Sequence, residues 1–347
     1  MEIAVREAVQ DPAELQRQRD AALSPLALAA IRAGMSDKTW AVYSGWWNDF
    51  LAWCRREERT PLPATGETLA EYLTYLCYTR VVEGGPYKGQ IGLSCTTVGQ
   101  ARWAVVKAHK KAGAPVPDLD PSLEVVRGYK KRLAEARDPR MRARKATPAT
   151  PSDLQKLAEL PTDGPAGLRD RCLVLLWYSI AARVSDIVSL NIEDIADGGT
   201  GLTVTLYRQK TDLDAELAIP AEDAPQAVAA FRAWRDALAQ AGRTSGPLFV
   251  RFNKWGGAAT ASGSDDGRLS LSGAQGILKQ AFSRAGLEGR WSGHSMRRGF
   301  ATAARLAGHD NITIAKQTGH HPGSPVLLGY MDDADKWTRN ALKGCGV

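Results

Sequence analysis

The sequence predicts a mainly α-helical protein of two domains, the first all-helical and the second mostly helical with one small sheet. A length of 347 residues suggests about two domains of roughly 100–200 residues each. Apolar residues recur at helical spacing through most of the chain, and one stretch alternates like a pair of strands. A proline-rich break at Thr147–Pro151 separates these two parts, because a residue before proline disfavours helical geometry.

The first domain is predicted over residues 36–135, after a loosely held leader at 1–35 that contains a short helix near Asp11–Ala22. An apolar face that includes Trp40, Trp47 and Phe50 marks its first helix. Its four helices are expected at these positions: from an N-cap near Ser36, Thr68–Arg80, Ser94–Ala112, and after Pro121.

The second domain is predicted over residues 152–347, and a basic linker at 136–151 joins it to the first. Leu202–Tyr207 and Ala215–Ile219 are typical of two strands connected by Arg208–Asp214. Helices are expected at these positions: from Asp153 after a Ser152 cap, Leu168–Leu190, Pro225–Ala241, Ser272–Ala285, Met296–Ala307, Ile312–Thr318 and Asp335–Leu342.

Composition excludes several protein classes. The apolar fraction of 44% and charged fraction of 24% are those of a globular protein. No apolar run approaches the roughly 18 residues that a membrane span needs, and the N-terminus lacks the layout of a secretory signal. The five cysteines form no C-x-x-C pair, and Cys54 and Cys77 fall on helical faces as buried free thiols. We therefore expect a reducing, cytoplasmic location.

Positive charge is concentrated between Arg127 and Lys145, a stretch that contains nine basic residues and only two acidic ones. Such a run is either a solvated linker or a strap that follows a nucleic-acid backbone and displaces its counterions. The candidate DNA contacts are Arg127, Lys130, Lys131, Arg142, Arg144 and Lys145.

Four of the five histidines lie between His294 and His321, which raises the question of a metal site. No spacing among them matches H-E-x-x-H or a zinc ribbon, so the sequence predicts no metal site. His309 is interpreted as structural.

Phosphate chemistry fits the residue types better. Attack on a phosphodiester places negative charge on the non-bridging oxygens, and the forked guanidinium of arginine can bind two of them. Histidine and lysine can move the protons, and tyrosine can form a covalent ester.

Five motifs lie along the chain in an order that is recognisable. They are A-A-R-V-S-D-I at 181–187, R-Q-K-T-D at 208–212, W-S-G-H-S-M-R at 291–297, T-G-H at 318–320 and G-Y-M at 329–331. Together they resemble the motifs of tyrosine site-specific recombinases of the phage integrase family. The resemblance covers roughly residues 30–347, and it is closest to family members that consist of these two domains alone.

The resemblance implies a role for each motif residue. Tyr330 would attack the scissile phosphate and become a 3′-phosphotyrosine, while Arg183 and Arg297 hold the non-bridging oxygens. Lys210 would protonate the leaving 5′-oxygen. The remaining implied members are His294 for proton transfer, His320 as a donor to the phosphate and Asp186 as a support for Arg183.

The resemblance also implies an assembly and no cofactor, metal or nucleotide. It implies a clamp around double-stranded DNA, with Ser272–Ala285 in the major groove, and a homotetramer on paired specific sites that passes through a Holliday junction. A C-terminal helix would dock on the neighbouring subunit through Trp337 and Leu342. The alternatives are a type IB topoisomerase, which shares the fold and chemistry, or an inactive DNA-binding protein on the same scaffold.

Two departures from the family pattern stand out. Tyr330 lies ten positions after His320 and nine after His321, where the family spacing is nine, so either histidine could fill the third-motif position. The acid after Arg183 is Asp186, with a shorter side chain than the commoner glutamate.

Overall fold

The computed structural model describes residues 37–208, 213–253, 257, 265–338, 340, 342 and 345. The chain divides into two compact units between Arg144 and Lys145, a position inside the stretch predicted as the basic linker. None of the described helices is long and apolar enough to cross a membrane. The short helix predicted near Asp11–Ala22 lies outside the described residues.

The described part of the first unit contains the four predicted helices. They are α1 Asp37–Arg56, α2 Gly66–Tyr78, α3 Cys95–Lys111 and α4 Asp120–Glu135. Hydroxyl caps begin two of them, because Thr65 Oγ1 accepts from the amide of Thr68 and Ser94 Oγ accepts from the amide of Thr97. The first turn of α4 carries Pro121, which has no N–H to leave unpaired there.

Aromatic rings and buried thiols fill the core of the first unit. The ring of Phe50 lies 5.0 Å from that of Tyr72 and 6.3 Å from that of Trp53, measured between centroids. Burial of such a side chain contributes about 1.5–3 kcal/mol to stability. Cys54 and Cys77 are buried, as predicted, and burial raises their pKa values to about 11 and about 12.

The described part of the second unit combines helices with one antiparallel sheet. The helices are α5 Pro151–Glu159, α6 Gly164–Ser179, α7 Val184–Ser189, α8 Pro225–Gln240, α9 Leu271–Arg284, α10 Gly293–Leu306, α11 Asn311–Thr318 and α12 Pro325–Thr338. The strands are β1 Ile195–Asp197, β2 Gly201–Arg208 and β3 Leu213–Pro220, in the order β1-β2-β3. Leu202 pairs with Ile219, and both side chains lie in the same core as Trp177 of α6 and Trp234 of α8.

The long helical region predicted at Leu168–Leu190 is helical at both ends but is interrupted between them. The chain leaves the helix after α6, and Ala181 takes a left-handed conformation with φ of +46° before α7 begins. Two hydrogen bonds to the break stabilise it: Trp177 Nε1 donates to Ala182 O over 2.9 Å, and Arg297 Nη1 donates to Ala181 O over 3.0 Å. Tertiary contacts therefore override the helical preference of this apolar stretch.

The last predicted helix, Asp335–Leu342, is also misplaced. The helix α12 begins ten residues earlier at Pro325, a residue suited to a first helical position. Its buried residues Leu327 and Met331 pack on Ala301 and Ile314 of the two preceding helices. Leu342 lies in a turn.

Two smaller differences from the predicted elements remain. The helix α5 begins at Pro151 rather than Asp153, because Thr150 and not Ser152 is its cap: Thr150 Oγ1 accepts from the Asp153 amide over 3.1 Å. The strand β1 was not predicted, since three residues are too short for an alternating pattern to be visible.

Candidate active site

The helix α10 is the platform of the candidate site, and two glycines allow it to lie close to its neighbours. A Cβ added to Gly293 would lie 2.5 Å from the ring of Trp177, and one added to Gly299 would lie 1.9 Å from Ala149 O. The first turn is held by Ser295 Oγ, which accepts from the Ser292 amide over 3.0 Å. Position and orientation of α10 are therefore set by close packing.

His294 and Arg297 lie three residues apart on α10 and so share one side of the helix. His294 is exposed in the first turn, whereas Arg297 is only 3% exposed. Burial of an arginine requires hydrogen-bond partners, and Arg297 donates from Nη1 to Ala181 O and from Nε to His320 Nε2 over 3.3 Å. These two bonds tie three separate segments of the chain together.

The left-handed break after α6 brings Arg183 into the same region. Arg183 follows Ala181 by two residues, and consecutive Cα atoms are about 3.8 Å apart, so it lies near the carbonyl that binds Arg297. Arg183 Nη1 is buried and makes no hydrogen bond with any described residue. This N–H donor is available to a bound anion.

Asp186 supports Arg183 from within α7. The carboxylate is 2% exposed, and its Oδ2 accepts from the Arg183 amide over 3.3 Å and lies 3.7 Å from Arg183 Nη1. Ser185 Oγ donates to Oδ1 over 3.0 Å. The shorter aspartate thus binds the backbone of Arg183 at the helix start and stays close to its guanidinium.

His320 reaches Arg297 because α11 ends in a glycine. Gly319 takes the left-handed conformation with φ of +63°, which ends the helix and redirects the chain. Thr318 Oγ1 donates to Ile314 O over 2.8 Å and is joined to His320 Nδ1 over 2.9 Å, while His320 Nε2 accepts from Arg297. The hydrogen-bond pattern requires a neutral ring with its proton on Nδ1.

His321 has a different environment. Its ring is exposed, and Nδ1 accepts from the Gly323 amide over 3.2 Å within the turn that precedes α12. Of the two histidines left open by the sequence, it is His320 that contacts Arg297. Pro322 and Gly323 form the turn that leads into α12.

Tyr330 lies beside His320, on α12. The ring centroids are 6.0 Å apart, with an edge-to-face angle of 72°. Tyr330 packs against the cluster that contains Leu327 and Met331. Burial raises the pKa of the phenol, and Arg297 and Arg298 act in the opposite direction by stabilising the phenolate.

The predicted lysine cannot be located. Lys210 lies outside the described residues, between β2 and β3, whose last described pair is Arg208 with Leu213. Among the residues that the structure does describe, no three His, Cys, Asp or Glu side chains are grouped as a metal site would need.

The six candidate DNA contacts are all exposed. Arg127 forms an ion pair with Glu124 one turn away on α4. The buried Arg140, in the same basic stretch, has a structural role instead: it binds the Asp138 carboxylate and donates to Gly92 O over 2.9 Å. On α9, Lys279 and Gln280 are exposed, while Ala274, Leu278 and Phe282 face the core.

Sequence reasoning missed three contributors to the site. They are the carbonyl of Ala181, the hydroxyl of Thr318, and Arg298, whose Nη1 donates to Ala146 O over 2.5 Å. The pair of adjacent arginines at 297 and 298 is the feature of the sequence that could have identified Arg298. Neighbouring side chains on a helix point in different directions, so two adjacent cations bind different partners.

What the arrangement can do chemically follows from its charges and donors. The buried Arg297 is bonded to His320, whose ring lies beside the phenol of Tyr330, and Arg183 presents a second available donor near the carbonyl that binds Arg297. The charges of Arg297 and Arg298 favour the phenolate. Cationic donors of this kind stabilise charge that develops on a phosphate. The phenol is the group that can form a covalent bond.

Comparison with known proteins gives a consistent result. The pattern that defines the Phage integrase family matches residues 149–336. The integrase/recombinase xerD homolog of Selenomonas ruminantium is 28% identical over 326 residues, covering 92% of this chain and 89% of that protein. Tyrosine recombinase XerD of Mycobacterium tuberculosis is 30% identical over 274 residues, covering 76% and 78%. Recombinase cre of Escherichia phage P1 is 25% identical over 320 residues, covering 88% and 87%.

Solved structures share the fold. The XerH site-specific recombinase bound to palindromic difH substrate, in a post-cleavage complex, has a TM-score of 0.52 at 14% identity and covers 82% of this chain and 72% of that one. The Tn1549 transposon integrase in complex with transposon right end DNA has a TM-score of 0.53 at 11% identity, covering 95% and 98%.

Proposed function

This chain belongs to the phage integrase family and is a tyrosine recombinase, and we propose which of its residues carry out each step of DNA cleavage and rejoining. Tyr330 Oη attacks the scissile phosphorus, so that a bond forms from phosphorus to the phenol oxygen and the bond from phosphorus to the 5′-oxygen breaks. The DNA is left with a 3′-phosphotyrosine and a free 5′-hydroxyl. Rejoining is the reverse reaction with a 5′-hydroxyl of the partner strand, through a Holliday junction.

The other site residues act on charge and protons. Arg183 and Arg297 bind the non-bridging oxygens, and Asp186 holds Arg183 in place. Lys210 protonates the leaving 5′-oxygen, while His294 exchanges a proton with the phenol. For His320 to donate to the phosphate, its Nε2 must carry a proton, so the bond from Arg297 gives way to the phosphate when DNA is bound.

One observation carries this proposal: Arg297 is bonded to His320, and the ring of Tyr330 lies edge-to-face with that histidine. A nucleophile beside fixed cationic donors supports phosphoryl transfer within a single subunit. No metal or nucleotide cofactor is needed, because the phosphotyrosine ester conserves the energy of the broken bond. Cleavage in the presence of excess EDTA tests that point.

DNA is the substrate, and the finer features of its recognition are proposals. The six exposed basic residues at 127–145 contact the phosphate backbone, and α9 contributes base contacts in the major groove at a specific site.

The active assembly is a homotetramer on two sites in the cytoplasm, joined through the C-terminal helix. The clamp around the duplex and the domain bounds 36–135 and 152–347 are part of this proposal. Leu342 lies in a turn beyond the end of α12 rather than on that helix, and it is 69% exposed; the side chain of Trp337 lies outside the described residues.

Trapping the covalent intermediate tests the proposed nucleophile. A nicked suicide substrate loses a short fragment after cleavage and cannot be rejoined, so the wild-type adduct accumulates as a shifted band on a denaturing gel. The substrate is first obtained by selection of bound sequences from random DNA. Tyr330→Phe is expected to abolish the adduct while DNA binding persists.

Tyr178→Phe is the matched control, since Tyr178 is a partly buried tyrosine of the same unit that packs on Phe300. It is expected to form adduct like wild type. An adduct in Tyr330→Phe would refute the assignment. Relaxation of supercoiled plasmid without recombination of paired sites would favour a topoisomerase, and DNA binding by the wild-type protein with neither activity would favour an inactive DNA-binding protein.

A further inference from the structure

Arg298 lies next to the buried Arg297 on α10, but its guanidinium has a different partner. Nη1 donates to the carbonyl of Ala146 over 2.5 Å. Ala146 belongs to the segment 145–150 that opens the second unit, directly after the last residue of the first unit, Arg144. A residue of the catalytic helix thus binds the chain at the point where the two units are joined.

Further hydrogen bonds hold the same segment. The Thr147 amide donates to Arg290 O over 3.2 Å, and Thr147 Oγ1 accepts from the Arg290 amide over 2.9 Å. The Ala149 amide donates to Ser295 O over 3.0 Å. We call this set of contacts, including Arg298 to Ala146, the linker clasp.

Glycine makes the clasp tight. Because Gly299 has no side chain, the backbone at Ala149 lies directly on α10, where a Cβ would be 1.9 Å from the carbonyl oxygen. The candidate phosphate contacts Arg142, Arg144 and Lys145 immediately precede the clasp in the chain. The backbone that directly follows these residues is therefore packed closely against α10.

Arg298 also affects the nucleophile. With Arg297 it opposes the effect of burial on the phenol and holds the pKa of Tyr330 lower than burial alone would leave it. His320, after α11, also lies against the phenol, with the two ring centroids 6.0 Å apart. Thr302, one turn after Arg298 on α10, donates from Oγ1 to Tyr330 O over 3.5 Å, so Arg298 lies on the side of α10 that packs against Tyr330. The bond to Ala146 helps to hold the Arg298 charge on this side.

We propose that Arg298 is a positioning residue that couples the linker to strand cleavage: the linker clasp fixes its guanidinium near Tyr330, so that the linker must be docked for the nucleophile to be fully active. This inference rests on the proposed role of Tyr330. It adds a residue outside the five motifs that the sequence displays.

The test is single-turnover cleavage of the suicide substrate as a function of pH, with Arg298→Gln, Arg298→Lys and Thr147→Val. Loss of the cation raises the pKa of the phenol and leaves less phenolate at a given pH. Arg298→Gln is therefore expected to cleave about tenfold more slowly near pH 7, with its pH–rate profile moved to higher pH. Arg298→Lys keeps the charge and is expected to restore part of the rate and of the profile.

Thr147→Val removes the acceptor of the Arg290 amide and changes no charge. Because the clasp fixes the position of the Arg298 charge, this change is expected to lower the rate severalfold and to move the profile in the same direction as Arg298→Gln, but by less. Arg235→Gln is the control, because Arg235 is a surface arginine of α8 that shares Asp197 with Arg232. DNA binding and thermal unfolding are measured for each variant, and Thr147→Val keeps the test valid if Arg298→Gln does not fold.

Each outcome has a distinct meaning. A folded Arg298→Gln with the wild-type rate and pH profile would overturn the inference, as would a Thr147→Val that cleaves like wild type. In both cases the adduct at Tyr330 would still form in the wild-type protein. Absence of that adduct in wild type would instead refute the proposed function.

Discussion

Replacement of Arg297 by alanine is the perturbation with the clearest structural consequences. The side chain is 3% exposed and joins the Ala181 carbonyl to His320 Nε2. Alanine removes one cationic contact to the phosphate in the transition state. It also leaves the Ala181 carbonyl without this donor and the ring of His320 without this neighbour.

The expected magnitudes differ for catalysis and for folding. Loss of one preorganised donor to a developing oxyanion costs about 2.7–4 kcal/mol, or about 10²–10³ in rate. A buried carbonyl that loses its donor costs about 1–3 kcal/mol of stability. Arg297→Lys keeps the charge but has no planar fork, so its cleavage rate is expected to fall between those of wild type and Arg297→Ala.

Single-turnover cleavage of the suicide substrate measures the loss of cleavage rate. Chemical denaturation measures the loss of stability. DNA binding is expected to persist in Arg297→Ala, because many backbone contacts contribute to it, and to weaken steeply with salt. Arg235→Ala is the control, since Asp197 keeps its bond to Arg232. Cleavage by a folded, DNA-bound Arg297→Ala within about threefold of wild type would contradict the magnitude expected for such a donor.

Two further predictions concern packing and buried hydrogen bonds. Gly299→Ala places a methyl group against the Ala149 carbonyl and is expected to lower stability by about 1–3 kcal/mol, whereas Gly276→Ala, in open space on α9, raises it by about 0.5–1 kcal/mol. Equal melting temperatures for these two variants would contradict the close packing of α10. His109→Phe removes the acceptor of the Ala64 amide, 2.8 Å from Nε2, and is expected to cost about 1–3 kcal/mol in urea unfolding. An unchanged unfolding midpoint and slope would show that this buried bond contributes nothing.

Much of the secondary structure could be predicted from local patterns. The strands β2 and β3 and the helices α8, α9 and α11 lie within a residue or two of the predicted bounds, because their apolar periodicity and end signals agree. The break at Ala181 could not be predicted. Its cause is a carbonyl that binds Arg297, 116 positions away in the sequence.

The site residues were predicted as a set of motifs. Local sequence patterns did not determine how these residues are arranged in space. The spacing to Tyr330 allowed His320 or His321, and in the structure it is His320, after the left-handed Gly319, that contacts Arg297. Tyr330 was expected before the last helix and lies within it, since α12 begins at Pro325 rather than at Asp335. The roles of the site residues stay predictions.

The central claim is that the phenol of Tyr330 becomes esterified to DNA. Mass spectrometry of the protease-digested suicide complex tests it most directly, because it identifies both the modified residue and the attached end. We expect nucleotides linked through a 3′-phosphate to the peptide that contains Tyr330. Attachment at another residue, or through a 5′-phosphate, would contradict it.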